Sequence, residues 1–197
     1  MADWSQTWTF FEGEWHEGNV PLWGVRTHAI WLGSSVFDGA RVFEGVAPDL
    51  DLHFTRVNAS AKSMHLKPLV STDEWMGFAR DGIRKFAANT AVYVRPMYWA
   101  ERAGPLSPPG DPESTRFALS LYDVPMKQPT GFSITLSPYR RPAPETAPLD
   151  AKAGCLYPNN ARAMREARSR GFDNCVVCDL VGNVAELANS NLFIVKE

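Results

Sequence analysis

The 197 residues, 21.9 kDa, suffice for one large domain or two small ones with a sizeable buried core. Lys plus Arg number 20 and Asp plus Glu 22, a net charge of −2 that offers no basic field to a nucleic-acid backbone, so no nucleic-acid partner is expected. The longest stretch without Asp, Glu, Lys or Arg, Gln128 to Tyr139, contains Pro129 and Pro138 and falls well short of the ~20 residues of a membrane helix, so no membrane association is expected either.

The N-terminal MADWSQTWTFFEGEW carries acids and tryptophans where a signal peptide needs basic residues and then an apolar core, and the chain reads as cytoplasmic. Cys155, Cys175 and Cys178 form an odd set that implies no disulfide framework. Cys175 and Cys178 make a CxxC within NCVVCDL. That segment reads as a strand, where positions three apart face opposite ways, and no metal site is expected.

In chain order, TWTFFEGEWHEG alternates on either side of Glu12-Gly13 and predicts an opening hairpin. Thr55 is the expected cap of a helix running to about Lys67, and Ser71-Thr72-Asp73-Glu74 is a capping box before a second helix. AVYVRPMYWA is an alternating strand with Tyr93, Arg95, Met97 and Trp99 on one face, either a pocket wall or an ordinary half-exposed strand. RFALSLYDV follows as the last strand of the first unit, and the composition of MKQPTG marks a linker. We expect a small α/β domain over 1–122, a linker over 123–131, and the first part of a larger domain over 132–197. In the latter, FSITL is a strand, and SPYRRPAPETAPLD, excluded from helix and central strand by its prolines, is expected to be an ordered or a mobile loop. Asn159 to Arg170 is a helix capped by Gly171, and NCVVCDL, NVAEL and NLFIVK are strands, the last apolar and without cover, as if the natural protein continued.

A few polar residues stand in settings where a solvated role is uneconomical. Lys152, flanked by small residues in DAKAGCLY, is either a desolvated Schiff-base nucleophile or a surface lysine at a loop end. Glu186, between Val184-Ala185 and Leu187-Ala188, calls for a cationic partner. Arg56 is expected at the start of its helix, where a cation opposes the helix dipole, which points to a bound anion or to a snorkelling side chain. Arg41 and Arg95 are cations within apolar strands, able to bind a carboxylate or to pair with Asp38, Glu44 or Glu101.

GSSVFDGARVF, LDLHFTRVNASAKSM, AVYVRP and the long block AKAGCLYPNNARAMREARSRGFDNCVVCDLVGNVAELANSNLFIV, in this order and spacing, resemble the class IV (fold type IV) pyridoxal-phosphate aminotransferases, most nearly the branched-chain amino acid aminotransferases. The resemblance runs from about Trp8 to Val195 and implies a two-domain α/β (α+β) enzyme, a small α/β domain plus a larger pseudo-barrel domain, forming a homodimer. It implies that Lys152 forms the aldimine with pyridoxal 5'-phosphate and shuttles the substrate proton. Tyr157 would hydrogen-bond the cofactor's phenolate oxygen, Glu186 would pair with the pyridine nitrogen, Arg56 would hold the phosphate, and Asn191 would be a further cofactor contact. Phe37, Gly39, Arg41, Tyr93 and Arg95 would line a pocket for an aliphatic side chain or a distal carboxylate. Asp38 stands where the branched-chain branch usually has Glu. The implied reaction moves the amino group between Leu, Ile or Val and 2-oxoglutarate. D-amino acid and (R)-amine transaminases, or an aminodeoxychorismate lyase, are the alternatives within the fold, and a cofactor-free module is the alternative outside it.

Overall fold

The computed structural model describes residues 3–104 and 108–196. In chain order its elements are β1 (Thr7–Phe11), β2 (Glu14–Glu17), α1 (His28–Leu32), β3 (Ser35–Phe37), β4 (Ala40–Val42), α2 (Leu50–Ser63), α3 (Thr72–Ile83), β5 (Val92–Ala100), β6 (Thr115–Asp123), β7 (Ile134–Arg140), α4 (Tyr157–Ser169), β8 (Asn174–Cys178) and β9 (Val184–Leu187). The chain divides into two compact units, Met1–Lys127 with Asp150–Gly154, and Gln128–Leu149 with Cys155–Glu197. The segment Asp150–Gly154, which the sequence places in the second domain, thus packs with the first unit.

The first unit is an antiparallel sheet in the order β2-β1-β6-β5-β3, with β4 also pairing β5. The opening hairpin turns at Glu12 and Gly13, both with positive φ (51° and 88°), the backbone that lets two strands keep their twist through a two-residue loop. β5 alternates as its sequence predicts as far as Tyr98: Val92, Val94 and Tyr98 are buried, while Tyr93, Arg95 and Met97 are half-buried on the opposite face; Trp99, which the alternation groups with the latter, is buried as well. The inward face meets α2 and α3 in an aromatic core, where Trp75 lies 5.7 Å from Phe54, 5.6 Å from Tyr98 and 5.4 Å from Phe117 between ring centroids. α3 starts on the predicted capping box, with Ser71 and Glu74 satisfying each other's backbone N–H groups.

α2 departs from expectation. It begins at Leu50 behind Asp49, which has φ 50° and makes no side-chain cap bond, so no cap residue announces it. Arg56 consequently lies inside the helix rather than in its first turn, and the argument from the helix dipole does not apply to it.

In the second unit β7 and β8 run parallel and β9 is antiparallel to β8. The small residues Ala163 and Ala167 bring α4 against Cys175, Val177 and Ala188. α4 ends as predicted: Gly171 takes φ 85°, and the Phe172 N–H reaches back to the Ala167 carbonyl at 3.1 Å. Two expectations are corrected. β7 continues through Ser137–Arg140 despite Pro138, because β7 pairs on one side only and its register shifts between Leu136 and Arg140, where a missing N–H is tolerated. Residues 191–196 form no strand, since no described neighbour offers them a ladder, and Phe193, Ile194 and Val195 are 84%, 80% and 98% exposed. Among the described residues no helix is long and apolar enough to cross a membrane, and no group of three or more His, Cys, Asp or Glu side chains is placed to hold a metal ion.

Candidate active site

Lys152 belongs to the first unit and is pinned from two sides. Its carbonyl accepts the Phe37 N–H at 3.1 Å and its neighbour Ala153 bridges Val36, which adds the segment to β3. Its own N–H donates to Ser60 Oγ on α2 at 3.0 Å. The side chain is half-buried, with Nζ 5.4 Å from the centre of the Phe37 ring.

Arg56 sits one helical turn before Ser60 and faces Asp38, in the turn between β3 and β4. Arg56 Nε and Nη2 donate to the two carboxylate oxygens of Asp38 at 2.6 and 2.7 Å, and the Gly39 N–H donates to Oδ1 at 2.7 Å. His53 Nδ1 lies 2.7 Å from the same oxygen, so it carries the proton of that bond. Burial pushes the fully buried Asp38 carboxyl up, but the bonds from Arg56, His53 and Gly39 outweigh it and hold the carboxyl below its ordinary value. Asp38 is therefore the partner of Arg56, not of Arg41 or Arg95.

Arg41, Tyr93, Arg95 and Tyr122 form a second cluster on the half-buried face of β4, β5 and β6. Register sets Arg41 opposite Tyr93, and Tyr93 opposite Tyr122. The guanidinium carbons of Arg41 and Arg95 each stand 5.4 Å from the Tyr93 ring centre, and that of Arg95 stands 5.0 Å from Tyr122. Arg41 Nη1 donates to the Val124 carbonyl and Arg95 Nη2 to the Tyr122 hydroxyl, while Arg95 Nε is buried without a hydrogen-bond partner. Among the described residues neither arginine forms an ion pair, which leaves a cationic face suited to a carboxylate. Gly39 makes room for this arrangement: a Cβ there would come within 1.9 Å of the Tyr93 hydroxyl. Tyr122 and His53 are not evident from the sequence, because strand register and the helix start bring them into place.

In the second unit Tyr157 is the first residue of α4 and half-buried, and Asn191 is exposed. Glu186, on β9, has the cationic partner its setting demands: Arg141 Nη1 donates to Oε1, with the two side chains 32% and 30% exposed. Arg141 lies just past β7, and only the strand pairing reveals it.

The sequence profile of the amino-transferase class IV family matches residues 35–197. The chain belongs to the class IV aminotransferases. The branched-chain-amino-acid aminotransferase of Escherichia coli (strain K12) is 31% identical over 197 residues, covering 93% of this chain and 63% of that protein. The probable branched-chain-amino-acid aminotransferase of Rickettsia typhi is 29% identical over 174 residues, covering 88% and 60%. An aminotransferase from Brucella abortus, solved bound to the co-factor PLP, is 52% identical with a TM-score of 0.95, covering 97% of this chain and 68% of that one. This class IV aminotransferase chain thus has the mixed α/β fold of the fold type IV enzymes and spans about three fifths of the curated relatives' length. Where the resemblance implies a pseudo-barrel, the described residues of the second unit supply one three-stranded sheet and its helix.

Proposed function

We propose that the whole protein is a pyridoxal-phosphate-dependent aminotransferase acting on branched-chain L-amino acids and 2-oxoglutarate. The observation that carries this reading is that Lys152, Arg56 and the Arg41–Arg95 face lie in one compact unit, with Lys152 and Arg56 both tied to α2. The residues suit the group by the chemistry of their donors: a primary amine for an aldehyde, a guanidinium for a phosphate, a carboxylate for a protonated ring nitrogen, and an orphaned Arg95 Nε for an anionic substrate. When bound, pyridoxal phosphate supplies the aldehyde and the electron-accepting ring.

In this reading Lys152 Nζ would take the proton from the substrate α-carbon and pass it to the cofactor carbon, next to the apolar face of Phe37. Arg56, aligned by Asp38, binds the phosphate. Glu186 would hold the ring nitrogen in its protonated form, Tyr157 would donate to the ring oxygen, and Asn191 would be a further cofactor contact. Arg95 and Arg41 take a substrate carboxylate, with Tyr93 set between them by the space Gly39 leaves. The Arg95 face, which the distal carboxylate of an acidic amino acid or 2-oxo acid would engage, favours such substrates over simple amines, and the preference for L-amino acids follows the likeness to the branched-chain relatives. Initial rates with L-leucine, D-alanine and an (R)-arylamine test the assignment: L-leucine is expected to be fastest, and preference for either of the others overturns it.

The same reading makes the protein a cytoplasmic homodimer. We assign the exposed apolar side chains on and beside α1, Val25 (92%), Ile30 (51%) and Trp31 (58%), to contact with the partner copy. Sedimentation equilibrium is expected to return twice the chain mass, and a monomer refutes the dimer.

A further inference from the structure

We infer that Ser60 is a positioning residue, the point at which α2 fixes the offset between the Lys152 amine and the Arg56 guanidinium. The inference rests on the reading that these two side chains hold the aldehyde and phosphate ends of one ligand.

Ser60 is 1% exposed on the buried side of α2, beside Val57 and Ala61. Here its Oγ accepts the Lys152 N–H at 3.0 Å. The clamp extends to both sides of that bond. One turn further along α2, Ser63 Oγ donates to the Asp150 carboxylate. At the other end a Cβ on Gly154 would come within 2.8 Å of Ser35 Oγ, so the segment lies close against β3 with no room for a side chain. The Phe37 N–H to Lys152 carbonyl bond at 3.1 Å completes the attachment.

Arg56 lies four residues before Ser60, about 6 Å along the helix axis and on the same side. The helix backbone, which does not stretch, therefore spaces the amine-bearing segment from the guanidinium. A ligand that carries an aldehyde and a phosphate is gripped at two points. Once one end is bound, capture of the other is intramolecular, and its strength depends on how rigidly that spacing is kept. Loosening Lys152 from α2 weakens two-point capture and leaves each single contact as it was. Alanine is a better helix former than serine, so Ser60→Ala does not weaken α2 itself.

The test titrates the whole protein with pyridoxal phosphate, with pyridoxal, which lacks the phosphate, and with inorganic phosphate, following binding by absorbance or tryptophan fluorescence. Ser60→Ala is expected to lower affinity for pyridoxal phosphate about tenfold, to leave pyridoxal and inorganic phosphate unchanged, and to speed hydrogen exchange at the Lys152 amide. Unchanged affinity for pyridoxal phosphate, or an equal fall for all three ligands, overturns the inference. Should Ser60→Ala not fold, Ser63→Ala, which touches only the exposed end of the clamp, carries the same comparison with the same selective loss expected. Arg56→Gln separates this inference from the reading beneath it. If that variant keeps the preference for pyridoxal phosphate over pyridoxal, the assignment of Arg56 fails. If it loses the preference while Ser60→Ala keeps it, only the role of Ser60 fails.

Discussion

Asp38 shows how one buried charge organises its neighbours. Its folded-state carboxyl is held below the ordinary aspartate value, so the ionised form contributes stability that is fully present above about pH 4 and is lost as the pH falls through the lower folded value. Asp38→Asn is expected to cost about 2 kcal/mol at pH 7, the scale of charge-assisted hydrogen bonds, and to flatten the loss of stability in acid. Urea denaturation at pH 7 and pH 3 checks this, and a variant with the wild-type acid slope contradicts it. At this scale the sequence names the chemistry better than the contacts. Glu186 visibly needs a cation, but only the fold identifies Arg141. Arg56 stands out in the sequence as a cation at a helix start, but its helix starts at Leu50 and its partner is Asp38. Tyr122 is invisible until β6 lies beside β5 and sets it opposite Tyr93.

Among the elements, legibility follows how local the deciding interaction is. α3 is readable because Ser71 and Glu74, three residues apart, close its first turn, and the hairpin is readable because Glu12-Gly13 carries its own turn chemistry. β7 and residues 191–196 are not, since pairing is decided by what lies alongside: β7 finds β8 despite Pro138, and 191–196 find no described partner. Tyr98 links several elements at once. From β5 its hydroxyl donates to Asn58 Oδ1 on α2 at 2.9 Å and accepts the Val70 N–H, ahead of α3, at 3.1 Å, while burial pushes its pKa up to about 12. Tyr98→Phe leaves both partners without the hydroxyl and is expected to cost about 1–3 kcal/mol in urea denaturation. A loss below about 0.5 kcal/mol, the range of neutral surface changes, would show that the bonds are not a structural link.

For the molecule as a whole, composition and the order of sequence blocks specify an α/β enzyme fold, but not the path of Asp150–Gly154. A reading along the chain assigns that segment to the second unit. Its hydrogen bonds to Ser60, Ser63 and Phe37 assign it to the first, and in doing so they put the amine of Lys152 in the unit that also carries Arg56, Arg41 and Arg95. The central claim, that this amine is the covalent anchor of the cofactor, is tested most directly by treating the whole protein with pyridoxal phosphate, reducing it with borohydride, and mapping the product by peptide mass spectrometry. The account predicts one phosphopyridoxyl group, on Lys152, absent from Lys152→Ala. No adduct, or one on another lysine, would contradict it.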